Sequence, residues 1–167
     1  TVQKERSKVL RVIKSENMSS KFVRQGEKFL LKPDVYSAQS ITKTLDLLDI
    51  SVDDVILDLP IFASGEDLKT LEKAICDSGI KRLASENIYG LYFASEGYFV
   101  VAGQGHNIAN VFAEEEVGNL GALSYVPSCE YKDFLGDGCL ERLDVDEDIP
   151  LMTFAHCPFK TIFDCDC

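Results

Sequence analysis

The residues best equipped for chemistry gather toward the end of the sequence. His156 and Cys157 are adjacent and precede Pro158, and Cys165 and Cys167 follow shortly after. Thiolates are ligands for zinc and for iron–sulfur clusters, and thiols this close in sequence can converge on one metal site once the intervening loop folds back. Such a site usually takes a further ligand, so the chain is expected to be cut from something longer. Adjacency does not make His156 and Cys157 a catalytic dyad, because neighbouring side chains on an extended chain point to opposite faces. Of the remaining cysteines, Cys76 falls on the apolar side of an expected helix and reads as a small core residue. Cys129 and Cys139 flank a Gly-rich loop, and their spacing assigns them no role.

A second set of polar residues is spread along the chain, each member directly following a short apolar run. It comprises Lys32, Asp58, Ser85 and Glu86, the turn Gly103 to Asn107, Ser128, and again His156 with Cys157. Asp58 and Glu86 are candidate general acids or bases, since proton transfer needs a carboxyl of tuned pKa beside the substrate. His106 and His156 are candidates on the same grounds, imidazole being the side chain that titrates near neutrality. A histidine at a strand end is also an ordinary loop hydrogen-bonder. Gly103-x-Gly105 resembles a phosphate cradle, in which small residues let backbone N–H groups approach an anion. It lacks the third glycine of a dinucleotide fingerprint and the lysine of a P-loop, and a tight turn is the better explanation. Asn107 is a candidate either for catalysis or for capping the next helix. No G-x-S-x-G elbow, H-E-x-x-H helix or Cys-His protease signature is present.

The elements that must position these residues follow from hydrophobic periodicity. Residues 2–15 read as an amphipathic helix, with Val2, Val9, Leu10, Val12 and Ile13 on one stripe, and residues 15–28 as a linker. Apolar strands are expected at Phe29 to Lys32, Val55 to Asp58, Lys81 to Ala84, Tyr98 to Ala102, Ala122 to Val126 and Leu151 to Ala155. Helices are expected at Ala38 to Leu48, Gly65 to Ile75 with Ser64 as N-cap, Ile88 to Ala94 and Ile108 to Val117. Residues 128–149 read as irregular, with a short helix at Glu130 to Leu135 and a wet acidic stretch from Asp144 to Asp148. Strands that are continuous apolar runs are buried on both faces, as in a parallel sheet covered by helices.

The fold class is therefore α/β, a mainly parallel sheet with alternating helices resembling part of a TIM-like barrel. Residues 1–28 form an N-terminal helix and linker in this reading, and residues 29–167 the α/β domain. Six expected strands fall short of the eight in a complete barrel of about 250 residues. Right-handed crossovers bring all strand C-termini to one edge, where parallel α/β folds carry their ligands. An incomplete barrel exposes strand edges, so either a homodimer or a smaller closed sheet is expected.

Composition sets further bounds. The chain has 167 residues and is 46% hydrophobic, enough for one core and ordinary for a globular protein. No apolar run approaches the roughly 18 residues of a membrane span, and the N-terminus has no signal-peptide core, so a cytoplasmic protein is expected. The net charge of −11 disfavours non-specific nucleic-acid binding by this chain alone.

Several of these stretches together resemble peptidase family U-32, the collagenase-like proteins. The stretches are Gly105-His-Asn-Ile-Ala-Asn110, Leu123-Ser124, Pro150-Leu-Met-Thr153 and His156-Cys157-Pro158 with its trailing cysteines. The resemblance covers about three quarters of the chain and places it in the later part of a longer protein. It implies a barrel-like architecture and the family's label of peptidase, of unassigned catalytic type. It also implies an alternative, because other members resemble iron–sulfur proteins that support hydroxylation of RNA or of a small aromatic ring. In that case Cys157, Cys165 and Cys167 would serve a [4Fe–4S] cluster of the full-length protein, with none expected in this chain alone. The implied partners are the missing part of the same polypeptide and an RNA or protein substrate, and no membrane. A third reading is a non-catalytic interaction domain whose rim binds another domain.

Overall fold

The computed structural model describes residues 8–14, 28–129 and 140–146. Its framework is a closed ring of seven strands in sequence order. They are β1 (Lys8–Lys14), β2 (Phe29–Lys32), β3 (Val55–Asp58), β4 (Arg82–Ser85), β5 (Phe99–Ala102), β6 (Ala122–Tyr125) and β7 (Glu141–Asp146). Each pairs in parallel with the next, and β1 pairs in parallel with β7 to close the ring. Four helices lie between strands: α1 (Ala38–Leu48), α2 (Gly65–Ser78), α3 (Tyr92–Ser95) and α4 (Val111–Asn119). The architecture is thus α/β, an all-parallel sheet alternating with helices, and the sheet closes into a small barrel of the TIM kind. No helix among the described residues is long and apolar enough to cross a membrane.

Local chemistry explains the boundaries. Ser37 and Ser64 cap α1 and α2, each hydroxyl accepting a backbone N–H of the first turn, and Asp67 completes a capping box on α2. Gly79 ends α2 in the left-handed region at φ 74°, where glycine carries no steric penalty.

The strands divide their side chains between two apolar layers. Leu30, Ile56, Ala84, Val101, Val126 and Leu143 pack together inside the barrel, with Val12 and Val145 against them. Phe29, Leu31, Val55, Leu57, Leu83 and Val100 face outward and join Ile41 and Leu45 of α1, Leu71 and Ile75 of α2, and Phe93 of α3. This is the period-two alternation of strands buried on both faces, and it explains why the sequence shows them as unbroken apolar runs.

Two expectations are overturned. Residues 8–14 form strand β1 rather than part of a helix, and they belong to the barrel rather than to a separate N-terminal unit. Val9, Leu10, Val12 and Ile13 satisfy a helical stripe and a doubly buried strand equally well. Three of them are β-branched, and pairing with β2 on one side and β7 on the other decides the outcome. Glu141–Asp146 is a strand, not irregular. There Leu143 and Val145 point inward, while Arg142 and Asp144 share the other face with Nε and Oδ1 3.7 Å apart. The acidic residues hid a period-two pattern. The expected helix at Glu130 to Leu135 and strand at Leu151 to Ala155 lie outside the described residues.

Candidate functional site

Parallel pairing brings the C-terminal ends of all the strands to one mouth of the barrel. The inward alternation of β2 and β3 continues past Leu30 and Ile56 to Lys32 and Asp58, which sit on the inner face at that mouth. Lys32 Nζ lies 3.3 Å from Asp58 Oδ2. Asp58 is 6% exposed, so its carboxylate is held among apolar walls with the ammonium group beside it. Two tyrosines fix the chain around it. The Tyr36 hydroxyl donates to the Asp58 carbonyl at 2.7 Å, and the Tyr89 hydroxyl donates to the Pro60 carbonyl. Burial, and then the Asp58 charge, push both phenols above their ordinary range, so both stay protonated donors.

A second cluster occupies the ends of β4 and β5. Ser85 is fully buried, and its Oγ donates to the Asn87 carbonyl at 2.7 Å while accepting the Asn87 N–H at 3.2 Å. The Gly103 N–H donates to the Ser85 carbonyl at 2.8 Å. The Glu86 carboxylate reaches across and accepts the Gly105 N–H. A Cβ on Gly103 would stand 2.4 Å from Glu86 Oε1, and one on Gly105 would stand 2.1 Å from the Glu86 carbonyl oxygen. At Gly105 the clash is with backbone and only glycine fits, whereas at Gly103 the end of the Glu86 side chain would have to shift.

This geometry bears out the tight turn and not the phosphate cradle. The Gly105 N–H that an anion would need is already given to Glu86. Gln104–His106 is a single 3-10 turn, and α4 begins only at Val111.

His106 closes the second cluster. Its Nε2 is enclosed and has no hydrogen-bond partner among the described residues. With Nε2 unpartnered and the Ser85 carbonyl as the ring's backbone acceptor, the surroundings favour the tautomer with the proton on Nδ1. Burial lowers the pKa from the ordinary 6.5, opposed by the Glu86 charge and the Ser85 carbonyl. The ring is therefore neutral at pH 7.

Asp58, Glu86 and His106 thus all lie at the mouth, as the sequence indicates, but in two groups on adjoining strands. Asp58 is in register with Ala84, and the Leu59 N–H donates to the Ala84 carbonyl at 2.8 Å, which knits the groups together. Asn107 does not join them. It is exposed, in the left-handed region at φ 49°, with its N–H turned back onto the Gln104 carbonyl. Nor does Asn107 cap α4, since Asn110 does so, its Oδ1 accepting the Ala113 N–H at 2.9 Å. Cys76, expected in the core, is exposed on α2, because Leu71, Ala74 and Ile75 fill the buried stripe. His156, Cys157, Cys165 and Cys167 lie outside the described residues.

Tyr36 and Tyr89 are the contributors that sequence reasoning missed. Their signal is position: each stands a few residues beyond a strand end that carries a candidate site residue. Chemically the mouth offers an ammonium group, a buried carboxylate and a neutral imidazole with a free lone pair on Nε2. That set can move a proton and offset developing negative charge. Among the described residues no group of three or more His, Cys, Asp or Glu is placed to hold a metal ion. No family model, curated protein or solved structure matches the chain.

Proposed function

We propose that this chain is the later part of a U-32 (collagenase-like) peptidase-family protein, and that its barrel mouth hydrolyses peptide bonds by acid–base catalysis. The observation that carries this reading is that the Lys32–Asp58 pair and the neutral His106 lie at the same, C-terminal end of a parallel barrel. The family comes from the resemblance of the Gly105 to Asn110 turn and of the His156-Cys157-Pro158 stretch. In this mechanism His106 Nε2, enclosed in the resting structure, is uncovered on substrate binding and takes a proton from water, and the hydroxide adds to the peptide carbonyl carbon. The Lys32 ammonium offsets the charge that develops on the carbonyl oxygen. Collapse of the adduct breaks the C–N bond, and the imidazolium returns its proton to the leaving amine. Asp58 holds Lys32 in place and charged. No protein nucleophile is needed. A cytoplasmic setting suits a chain whose cysteines are read as thiols.

Cleavage of gelatin or casein by the full-length protein tests the reading. Lys32→Met and His106→Asn should each abolish it. Cleavage that survives both substitutions, or is absent from the wild type, overturns the reading.

The thiols Cys157, Cys165 and Cys167 favour a second reading, iron–sulfur-dependent hydroxylation of RNA or of a small aromatic substrate by the full-length protein. The described residues supply no metal site of their own, so a cluster would rest on those thiols. Anaerobic preparation with iron and acid-labile sulfide analysis decides it. Bound iron that is lost in Cys157→Ala supports this reading, and a protein without iron removes it.

A further inference from the structure

Glu86 is a candidate acid or base by residue type, yet its surroundings give it different work. Its carboxylate already accepts the Gly105 N–H, a charge-assisted hydrogen bond from a backbone that cannot move away easily. The turn that carries Gly105 is bound to the end of β4 at other points as well. The Gly103 N–H donates to the Ser85 carbonyl at 2.8 Å, and the His106 N–H closes onto the Gly103 carbonyl at 3.2 Å. The absence of side chains at Gly103 and Gly105 is what admits this approach, since a Cβ at either would collide with Glu86. The next residue is His106, whose enclosed Nε2 and supported Nδ1–H depend on where the turn lies.

We propose that Glu86 is a positioning residue: its carboxylate clamps the Gly103 to His106 turn through the Gly105 N–H and so seats the His106 ring in one tautomer. The inference rests on the acid–base reading of the mouth for its functional meaning. The charge acting on the ring, among the described residues, is that of Glu86 itself. The proton-transfer role at this end of the barrel then falls to His106, with Glu86 setting its geometry.

Long-range proton–nitrogen correlation spectra of the full chain, labelled at histidine, test this without a substrate. His106→Asn assigns the signals. The wild type should show His106 as the Nδ1–H tautomer with a titration midpoint below 6.5. Glu86→Gln keeps an acceptor for Gly105 and loses the charge, so the tautomer should persist and the midpoint should fall further. Glu86→Ala and Gly105→Ala both break the clamp and should mix the tautomers, and Gly105→Ala, which keeps the Glu86 charge, should also raise the midpoint toward 6.5. Tautomers that mix in Glu86→Gln, or that stay fixed in both Glu86→Ala and Gly105→Ala, overturn the proposal. A clamp that behaves as stated in a protein that cleaves nothing would remove the peptidase reading and leave this one standing.

Discussion

Asp58 and Lys32 depend on each other more than a surface pair does. Asp58 is almost wholly buried, and removing one partner leaves the other charged in a poorly solvated place. Asp58→Asn should cost about 2 kcal/mol of stability, read from urea unfolding, and Lys32→Met combined with it should cost less than the sum of the two single changes. His106 gives the molecule a pH dependence of known sign. The unfolded ring takes up a proton near pH 6.5, whereas the folded ring does so only at lower pH. Below pH 6.5 the unfolded state therefore holds more protons, and stability falls as the pH drops through that window. The contribution is fully present above it. His106→Asn should flatten this part of the stability–pH curve. The place of Asp58, Glu86 and His106 at the barrel mouth was legible because each follows an apolar run, and a parallel sheet brings such positions to one end. The pairing of Asp58 with Lys32 was not legible, because it depends on β2 and β3 being neighbours in register. The roles of Tyr36 and Tyr89 were hidden for the same reason, as both donate across the fold to the segment after β3.

At the scale of elements, helices that cap themselves were read most accurately. The bounds of α1, and Ser64 as the N-cap of α2, agree with expectation because their signals are local. Gly79→Ala should cost about 1 kcal/mol, since open space surrounds that position and only the left-handed φ of 74° resists the substitution. Urea midpoints of the two proteins measure it. The start of α4 was misplaced by a few residues because Ile108 belongs to the apolar pattern but not to the helix. α4 also carries Glu114, which is 1% exposed and accepts the Leu140 N–H at 3.0 Å. This bond fastens the helix to the chain just before β7. Glu114→Ala should cost about 2 kcal/mol by orphaning that N–H, and Glu114→Gln less than about 1 kcal/mol by keeping an acceptor. Nothing in the sequence marks Glu114 out from Glu115 and Glu116, because its partner lies 26 residues away along the chain.

For the molecule as a whole, closure is the governing fact. Alternation fills the barrel with Leu30, Ile56, Ala84, Val101, Val126 and Leu143, and there is little room for relaxation around them. Leu30→Ala should cost about 3 kcal/mol in chemical denaturation. The parallel α/β class was legible from the unbroken apolar runs, and a smaller closed sheet was one of two expected outcomes, but the strands that close it were not legible. Its two sealing strands, β1 and β7, are the ones whose patterns imitate a helix and a wet loop. Removing residues 1–14 should leave β2 and β7 each with an unpaired side, and size-exclusion chromatography should then show association that the intact chain does not.

The β1–β7 seam also governs the order of events during synthesis. Lys8 leaves the ribosome long before Leu143, yet they are partners. Until β7 emerges, β1 has only β2 to pair with, and the growing sheet carries an open flank at each end. Contacts so distant in sequence form late and slowly. The nascent sheet is thus exposed to wrong pairings until β7 has emerged, and closure of the seam ends that exposure.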